Sequence, residues 1–300
     1  MRYVIFGGSG FIGRELTEYW LAAGHQIIVV GRRKPSHTSE RMGLSYYSWD
    51  DLDAQPALIE GADALVNLAG ASLSQRWSPG GKQAILSSRL QTVGRAAKAL
   101  SALEHKPAVI VQASAVAIYG TSLEAVFDEA SPSTVSDFPS QVVQAWEASA
   151  DEAYRDIRLV KLRTGIVLGN GSGAFPKLKL PYMLGVGGRM GSGKQWLSWI
   201  HIRDMVRLID HCVHNPLIEG PVNATAPHPV RNDDFGRTIG SVFHRPHWFT
   251  LPAVALKTLL GEMSEILLLG QRVIPAKALE HGFTFTYATL HSALEQLKAE

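Results

Sequence analysis

Val4-Ile5-Phe6-Gly7-Gly8-Ser9-Gly10-Phe11-Ile12-Gly13 decides the fold class. An apolar run with the character of a fully buried strand meets a glycine-rich turn, and a helical pattern follows from Arg14 to Ala23. A second apolar strand, Gln26 to Val30, comes within one βαβ length. Each glycine has a separate physical reason. Gly7 permits the tight turn off the strand, and Gly10 keeps a Cβ out of the way of a pyrophosphate. Gly13 lets the helix pack close to the sheet, so that its N-terminal N–H groups face the phosphates. The expectation is an α/β Rossmann fold, a doubly wound parallel sheet, with Gly7, Gly10, Phe11, Ile12 and Gly13 in the cofactor-binding turn.

The end of the second strand selects the cofactor. Gly31-Arg32-Arg33-Lys34 follows Val30, and no Asp or Glu occurs from Ile27 to Ser39. A carboxylate there would bind the adenosine ribose hydroxyls, whereas a guanidinium accommodates a 2′-phosphate. Gly31, Arg32 and Arg33 therefore predict NADP over NAD; the alternative is a solvated basic loop. Further on, Leu68-Ala69-Gly70 ends a buried strand with residues small enough for a ribose to approach their backbone. From Lys82 to Leu100 the apolar positions recur at helical spacing, and Arg89 reads on that spacing as a surface residue.

Composition narrows the class. The chain has 300 residues, 46% hydrophobic and 19% charged, which suits a globular core. A formal net charge of +2 makes no case for nucleic acid or a membrane surface. The single cysteine, Cys212, excludes a disulfide framework and a cysteine-rich zinc site, and its apolar setting reads as helix packing. With no membrane-length apolar run and no leader pattern, the expectation is a cytoplasmic protein.

A further buried strand, Ala108 to Ser114, leads into Ala115-Val116-Ala117-Ile118-Tyr119-Gly120. The glycine turn, Asn67-Leu68-Ala69-Gly70 and Ser114…Tyr119-Gly120 together resemble the extended short-chain dehydrogenase/reductase superfamily. More narrowly, the chain resembles its atypical epimerase-like branch, the nucleoside-diphosphate-sugar epimerase-like or SulA-type proteins. Arg76-Trp77 with Ser88-Arg89, Leu162 to Gly169, Gly187 to Asp204, and the segment from Gly261-Glu262-Met263 to Gly282-Phe283 carry that match. The resemblance implies a Rossmann domain over 1–170 with a returning strand near 221–226. It also implies a smaller substrate-side region over 171–300, Arg89 among the cofactor contacts, and a small carbonyl or sugar-nucleotide substrate.

The superfamily's catalytic set is Ser/Thr, Tyr and Lys, the last two one helical turn apart. Ser114 can stand for the serine. The helix that should carry the pair, Asp137 to Glu147, contains neither tyrosine nor lysine. Ser114, Tyr119, Glu147, His201 and Asp204 are the remaining titratable or hydroxyl candidates, with Ser114, Glu147 and His201 chosen as the catalytic set. Glu147 serves as a general acid or base if partly buried, but a mid-helix carboxylate is more often solvated. His201 reads as a substrate contact or a base, and Asp204 as the cap or first turn of the helix from Met205 to His214. His201 and Asp204 alone are too few ligands for a metal.

Gly188-Arg189-Met190-Gly191-Ser192-Gly193-Lys194 imitates a P-loop, but Gln195 replaces the Ser/Thr and a strand-like Trp196 to Ile200 follows. It reads instead as a flexible loop over the substrate, with Lys194, Gln195 and Trp196 as contacts. Arg231 to Phe235 reads as a cap and a helix start. Two apolar helices, Leu251 to Gly261 and Ser264 to Val273, are expected to bury Leu256, Leu259, Leu260, Leu267 and Leu268 or to form a homodimer contact. Two functions follow: an NADP-dependent oxidoreductase or epimerase-like enzyme, or a non-catalytic NADP(H)-sensing protein.

Overall fold

The computed structural model describes residues 1–33, 41–73 and 75–300. Seven strands form one sheet: β1 (Arg2–Phe6), β2 (Gln26–Gly31), β3 (Leu44–Ser48), β4 (Ala64–Asn67), β5 (Val109–Ala115), β6 (Arg158–Thr164) and β7 (Gly220–Ala224). Every neighbouring pair is parallel, in the spatial order β7-β6-β5-β4-β1-β2-β3. The order reverses between β1 and β4. In such sheets the crevice beyond the carboxyl ends at that reversal is where ligands sit.

The apolar strands are covered on both faces. Helices α1 (Phe11–Ala22), α2 (Trp49–Ala54), α3 (Pro79–Ser101), α4 (Phe138–Ala153), α5 (Phe175–Met183) and α6 (Ile202–His214) follow in chain order. On one face, Tyr3, Ile5, Val29 and Val66 pack against Leu16 and Trp20 of α1 and Met205, Leu208 and Ile209 of α6. On the other, Val4, Phe6, Leu65 and Ile110 meet Leu52 of α2, Val93 of α3 and Trp146 of α4. Both faces are dry, which explains why the strands read as unbroken apolar runs. Cys212 is fully buried in α6 as expected, and burial pushes its thiol up to about 12.

A second layer stands beyond the carboxyl edge of the sheet. It contains α7 (Asn232–Phe243), α8 (Ala253–Leu260), α9 (Glu265–Leu268) and, after α10 (Ala276–Glu280), which packs beside β7, the last helix α11 (Leu290–Ala299), tied by pairs of short strands. Gly188–Met190 pairs with Phe249–Leu251, and Trp196–Leu197 pairs with Val230–Arg231. The expected α7 is present with Arg231 at its N-cap position. The expected helix from Ser264 to Val273 is not. A 3-10 turn leads into the single turn α9, and a strand follows at Arg272–Val273. Gly270 ends the apolar run against Trp196, whose carbonyl oxygen would lie 2.0 Å from any added Cβ. The expected leucine core there also divides: Leu256 is buried, whereas Leu259 is 76% exposed.

Candidate functional site

The glycine turn has the geometry its sequence requires. Gly7 has φ +79°, and a Cβ on it would lie 2.9 Å from the Ala69 nitrogen. The β1 and β4 ends are thus pressed together at the point where the strand order reverses. A Cβ on Gly13 would meet the Gly7 oxygen at 2.5 Å, so only glycine lets α1 start this close to the turn. Around Gly10 the sole near neighbour is the Gly7 oxygen at 3.1 Å. Helix α1 begins at Phe11, earlier than the sequence pattern suggests, with no side-chain cap and no acid in its first turn. Its first N–H groups, from Phe11 to Gly13, and the helix dipole suit an anionic phosphate.

Beside this turn, the carboxyl end of β2 presents Gly31, with Ser9 Oγ 3.9 Å from the position of a Cβ on it. Arg32 and Arg33 are exposed and make no hydrogen bond or ion pair among the described residues. Lys34 lies outside the described residues. Two guanidinium groups with no partner among the described residues, beside the glycine turn, have the chemistry that fits a 2′-phosphate.

Arg89 is not a surface residue. It is 8% exposed, and its Nη1 donates to the carbonyls of Ala71 (3.1 Å) and Ile85 (2.9 Å). Its guanidinium lies 4.9 Å from the Trp146 ring centroid. Burial, with no carboxylate partner among the described residues, lowers its pKa to about 10, which leaves it charged at neutral pH. Neighbouring α3 side chains grip the same loop: Ser88 Oγ accepts from the Ala71 N–H, and Thr92 Oγ1 donates to the Ala69 oxygen. Leu68, Ala69 and Gly70 are thereby held against the cleft by α3.

At the carboxyl end of β5 the catalytic candidates separate. Glu147 is buried, not solvated, because Arg163 on β6 reaches across to it. Arg163 Nε and Nη2 donate to Oε1 and Oε2, both at 2.9 Å. Ser114 Oγ donates to Glu147 Oε1 at 2.5 Å. Burial opposes ionisation of Glu147, but Arg163 and Ser114 outweigh it and hold the carboxyl below its ordinary range. The network continues: Arg163 Nη1 donates to the Tyr119 hydroxyl at 2.9 Å, which donates to Asn223 Oδ1 at 2.8 Å. Lys161 Nζ stands 3.8 Å from Glu147 Oε2. Strands β5 and β6 thus converge on one carboxylate of α4. Arg163 carried no role in the sequence reading; its signal was a guanidinium one residue from the carboxyl end of β6, the edge where the other site residues stand.

His201 and Asp204 belong elsewhere. His201 is fully buried and caps α6, its Nδ1 accepting from the Arg203 N–H at 3.1 Å. Its ring packs 4.0 Å from that of Tyr287, and burial lowers its pKa to about 4. A neutral imidazole sealed in this way is a cap rather than a substrate contact. Asp204, expected as the cap or in the first turn of this helix, stands in the first turn, fully buried, and accepts from the Thr286 and Tyr287 N–H groups. The loop that imitates a P-loop is an anchored turn, not a flexible one. Met190 N–H donates to Asn232, Asp233 N–H to the Gly193 carbonyl, and Gln195 Nε2 to Met190 and Leu267. Gln195 is therefore framework, while Trp196 is stacked between Arg231 and Arg272.

With this geometry in place, a family model described as "NAD dependent epimerase/dehydratase family" matches residues 3–223. The chain belongs to that family. A second model, a domain of unknown function designated DUF1731, covers residues 251–297, the segment that holds α8 to α11. The epimerase family protein YfhF of Bacillus subtilis is 41% identical, covering 100% of this chain and 99% of its own. A chloroplastic epimerase family protein of Arabidopsis thaliana, an SDR39U1 homolog, is 39% identical over 99% of this chain and 86% of its own. The human epimerase family protein SDR39U1, crystallised with NADPH, superposes with a TM-score of 0.91 at 35% identity and complete coverage of both chains. This family member is thus an atypical extended short-chain dehydrogenase/reductase with a Rossmann sheet. No helix among its described residues is long and apolar enough to cross a membrane, and they contain no cluster of three metal-ligating side chains.

Proposed function

We propose that this protein is an NADP(H)-dependent oxidoreductase or epimerase-like enzyme in which Ser114 and Glu147, held by Arg163, manage the proton of a substrate hydroxyl. The observation that carries the reading is the 2.5 Å bond from Ser114 to a buried, doubly anchored carboxylate at the end of β5. The cofactor supplies a hydride acceptor or donor when bound. The uncapped α1 N-terminus, Arg32 and Arg33 bind its phosphates, and Leu68, Ala69, Gly70 and Arg89 frame its ribose side. The NADPH in the human relative supports this choice over NAD.

Helix α4 has no Tyr or Lys, so the superfamily's Tyr–Lys pair does not supply the base from this helix. In the oxidative direction the substrate hydroxyl donates its proton to Ser114 Oγ as its carbon gives up hydride. Ser114 passes its own proton to Glu147, and Glu147 releases it to solvent. The products are a carbonyl compound, NADPH and a proton; reduction runs the same path backward. Arg163 is a positioning residue: it keeps Glu147 ionised and aimed at Ser114.

Ser114→Ala and Glu147→Gln should each lower turnover about 100-fold or more, the usual worth of a positioned acid–base group, while NADPH affinity changes little. Arg163→Gln should raise the acid limb of the kcat–pH profile, because Glu147 loses the charge that keeps its pKa low. An unmoved limb would leave Arg163 a purely structural residue. The mutual satisfaction of Ser114, Glu147 and Arg163 also suits a second reading, a non-catalytic NADP(H) sensor. NADPH binding without turnover on any alcohol or carbonyl compound would select it.

A further inference from the structure

The second layer encloses a cavity of about 590 Å³ between α5, α7 and the C-terminal module. Its walls include Leu178, Phe235, Leu256, Leu260, Met263 and Leu267. That volume is ample for a drug-sized molecule. Among the lining residues only Lys177, Tyr182 and Asn232 carry polar side-chain groups, and two of these are committed to the framework. The Tyr182 hydroxyl donates to the Gly188 oxygen, and Asn232 Oδ1 accepts from the Met190 N–H.

A nucleotide diphosphate or a hexose would bury many polar atoms here against hydrocarbon, each left without the hydrogen bonds that water gave it. An apolar molecule meets no such cost. The mouth agrees: Val186, Phe249 and Ile266 line the cavity and are 51%, 52% and 40% exposed. Covering such apolar surface removes it from water and favours a complex. Two lining residues, Leu73 and Met263, also pack with Phe138 and Val142 of α4, the helix that carries Glu147. Leu73 lies three residues beyond Gly70 in the loop after β4. The cavity thus touches α4 and the loop after β4, two elements that also border the cofactor cleft.

We infer that this cavity holds the substrate and that the substrate is a predominantly hydrocarbon alcohol or carbonyl compound, with Lys177 at the rim for at most one anionic group. The inference deepens the oxidoreductase reading and rests on it for the word substrate; the binding itself does not depend on turnover.

The test is calorimetric titration of the full chain, with and without saturating NADPH, using decanal and decanol as apolar probes and UDP-glucose as the polar one. The expected result is binding of the C10 compounds with a negative heat-capacity change and no heat from UDP-glucose. Leu260→Trp and Leu267→Trp, which fill the cavity from two sides, should each weaken C10 binding at least tenfold. Retained NADPH binding shows that the variants are folded. Binding of UDP-glucose in place of the C10 compounds, or C10 affinity unchanged in both folded variants, overturns the inference. C10 binding without NADP-linked turnover supports the cavity assignment while striking the proposed Ser114–Glu147 chemistry, so the two readings fail separately.

Discussion

His201 shows how one residue can be mistaken for chemistry. Its imidazole is held neutral by burial, with a pKa near 4 against an ordinary 6.5. In the unfolded chain it takes up a proton as pH falls through 6.5; in the native state it resists until about 4. Its contribution to stability is therefore complete above pH 6.5 and is lost progressively between 6.5 and 4, by about 3 kcal/mol in all. His201→Asn keeps a cap acceptor for the Arg203 N–H and removes the titration. The variant's denaturation midpoint should stay nearly level over that interval where the parent's falls. Arg32 belongs at this scale too. Arg32→Glu replaces a free cation at the end of β2 with a carboxylate that repels a 2′-phosphate and suits ribose hydroxyls. NADPH affinity should drop by about tenfold or more, the effect of about 1.4 kcal/mol, while NADH affinity holds or rises. A parallel fluorescence titration with the two cofactors reads both.

At the scale of elements, the decisive contact joins the β1 turn to α1. Gly13 has ordinary backbone angles, so its requirement is one of space: an added methyl falls 2.5 Å from the Gly7 oxygen and 2.6 Å from the Gly8 Cα. Neither is a flexible side-chain end, so the helix must move away from the sheet. Gly13→Ala should destabilise the fold by about 1–3 kcal/mol as an overpacking change and abolish measurable NADPH binding, because the N–H groups leave their aim. Thermal melts with and without NADPH separate the two losses; a cofactor-induced rise in Tm equal to the parent's would count against this account. Helix α3 does comparable work from the other side of the cleft. Ser88, Arg89 and Thr92 recur along its loop-facing side and bond the loop after β4, which gives the Ser88-Arg89 motif a physical meaning.

Across the whole molecule, the parallel sheet, its two apolar faces and the cofactor turn were legible in the residues. Their causes are local or periodic: buried parallel strands read as apolar runs, and a turn of this kind needs glycine at particular places. The place of Arg32 and Arg33 directly after a strand end was legible for the same reason. Three things depended on tertiary structure alone. Glu147 reads as a solvated helix carboxylate until β6 brings Arg163 against it, across 16 residues of sequence. Arg89 reads as surface until the loop after β4 folds over it and Trp146 stacks on it. The leucines after Pro252 read as core, yet their surroundings come from α5, α7 and the Gly188–Met190 strand, which leave part of that face lining an open cavity. Backbone periodicity and steric demands are written along the chain. A side chain's charge state and surroundings depend on distant partners, which only the folded packing brings within reach.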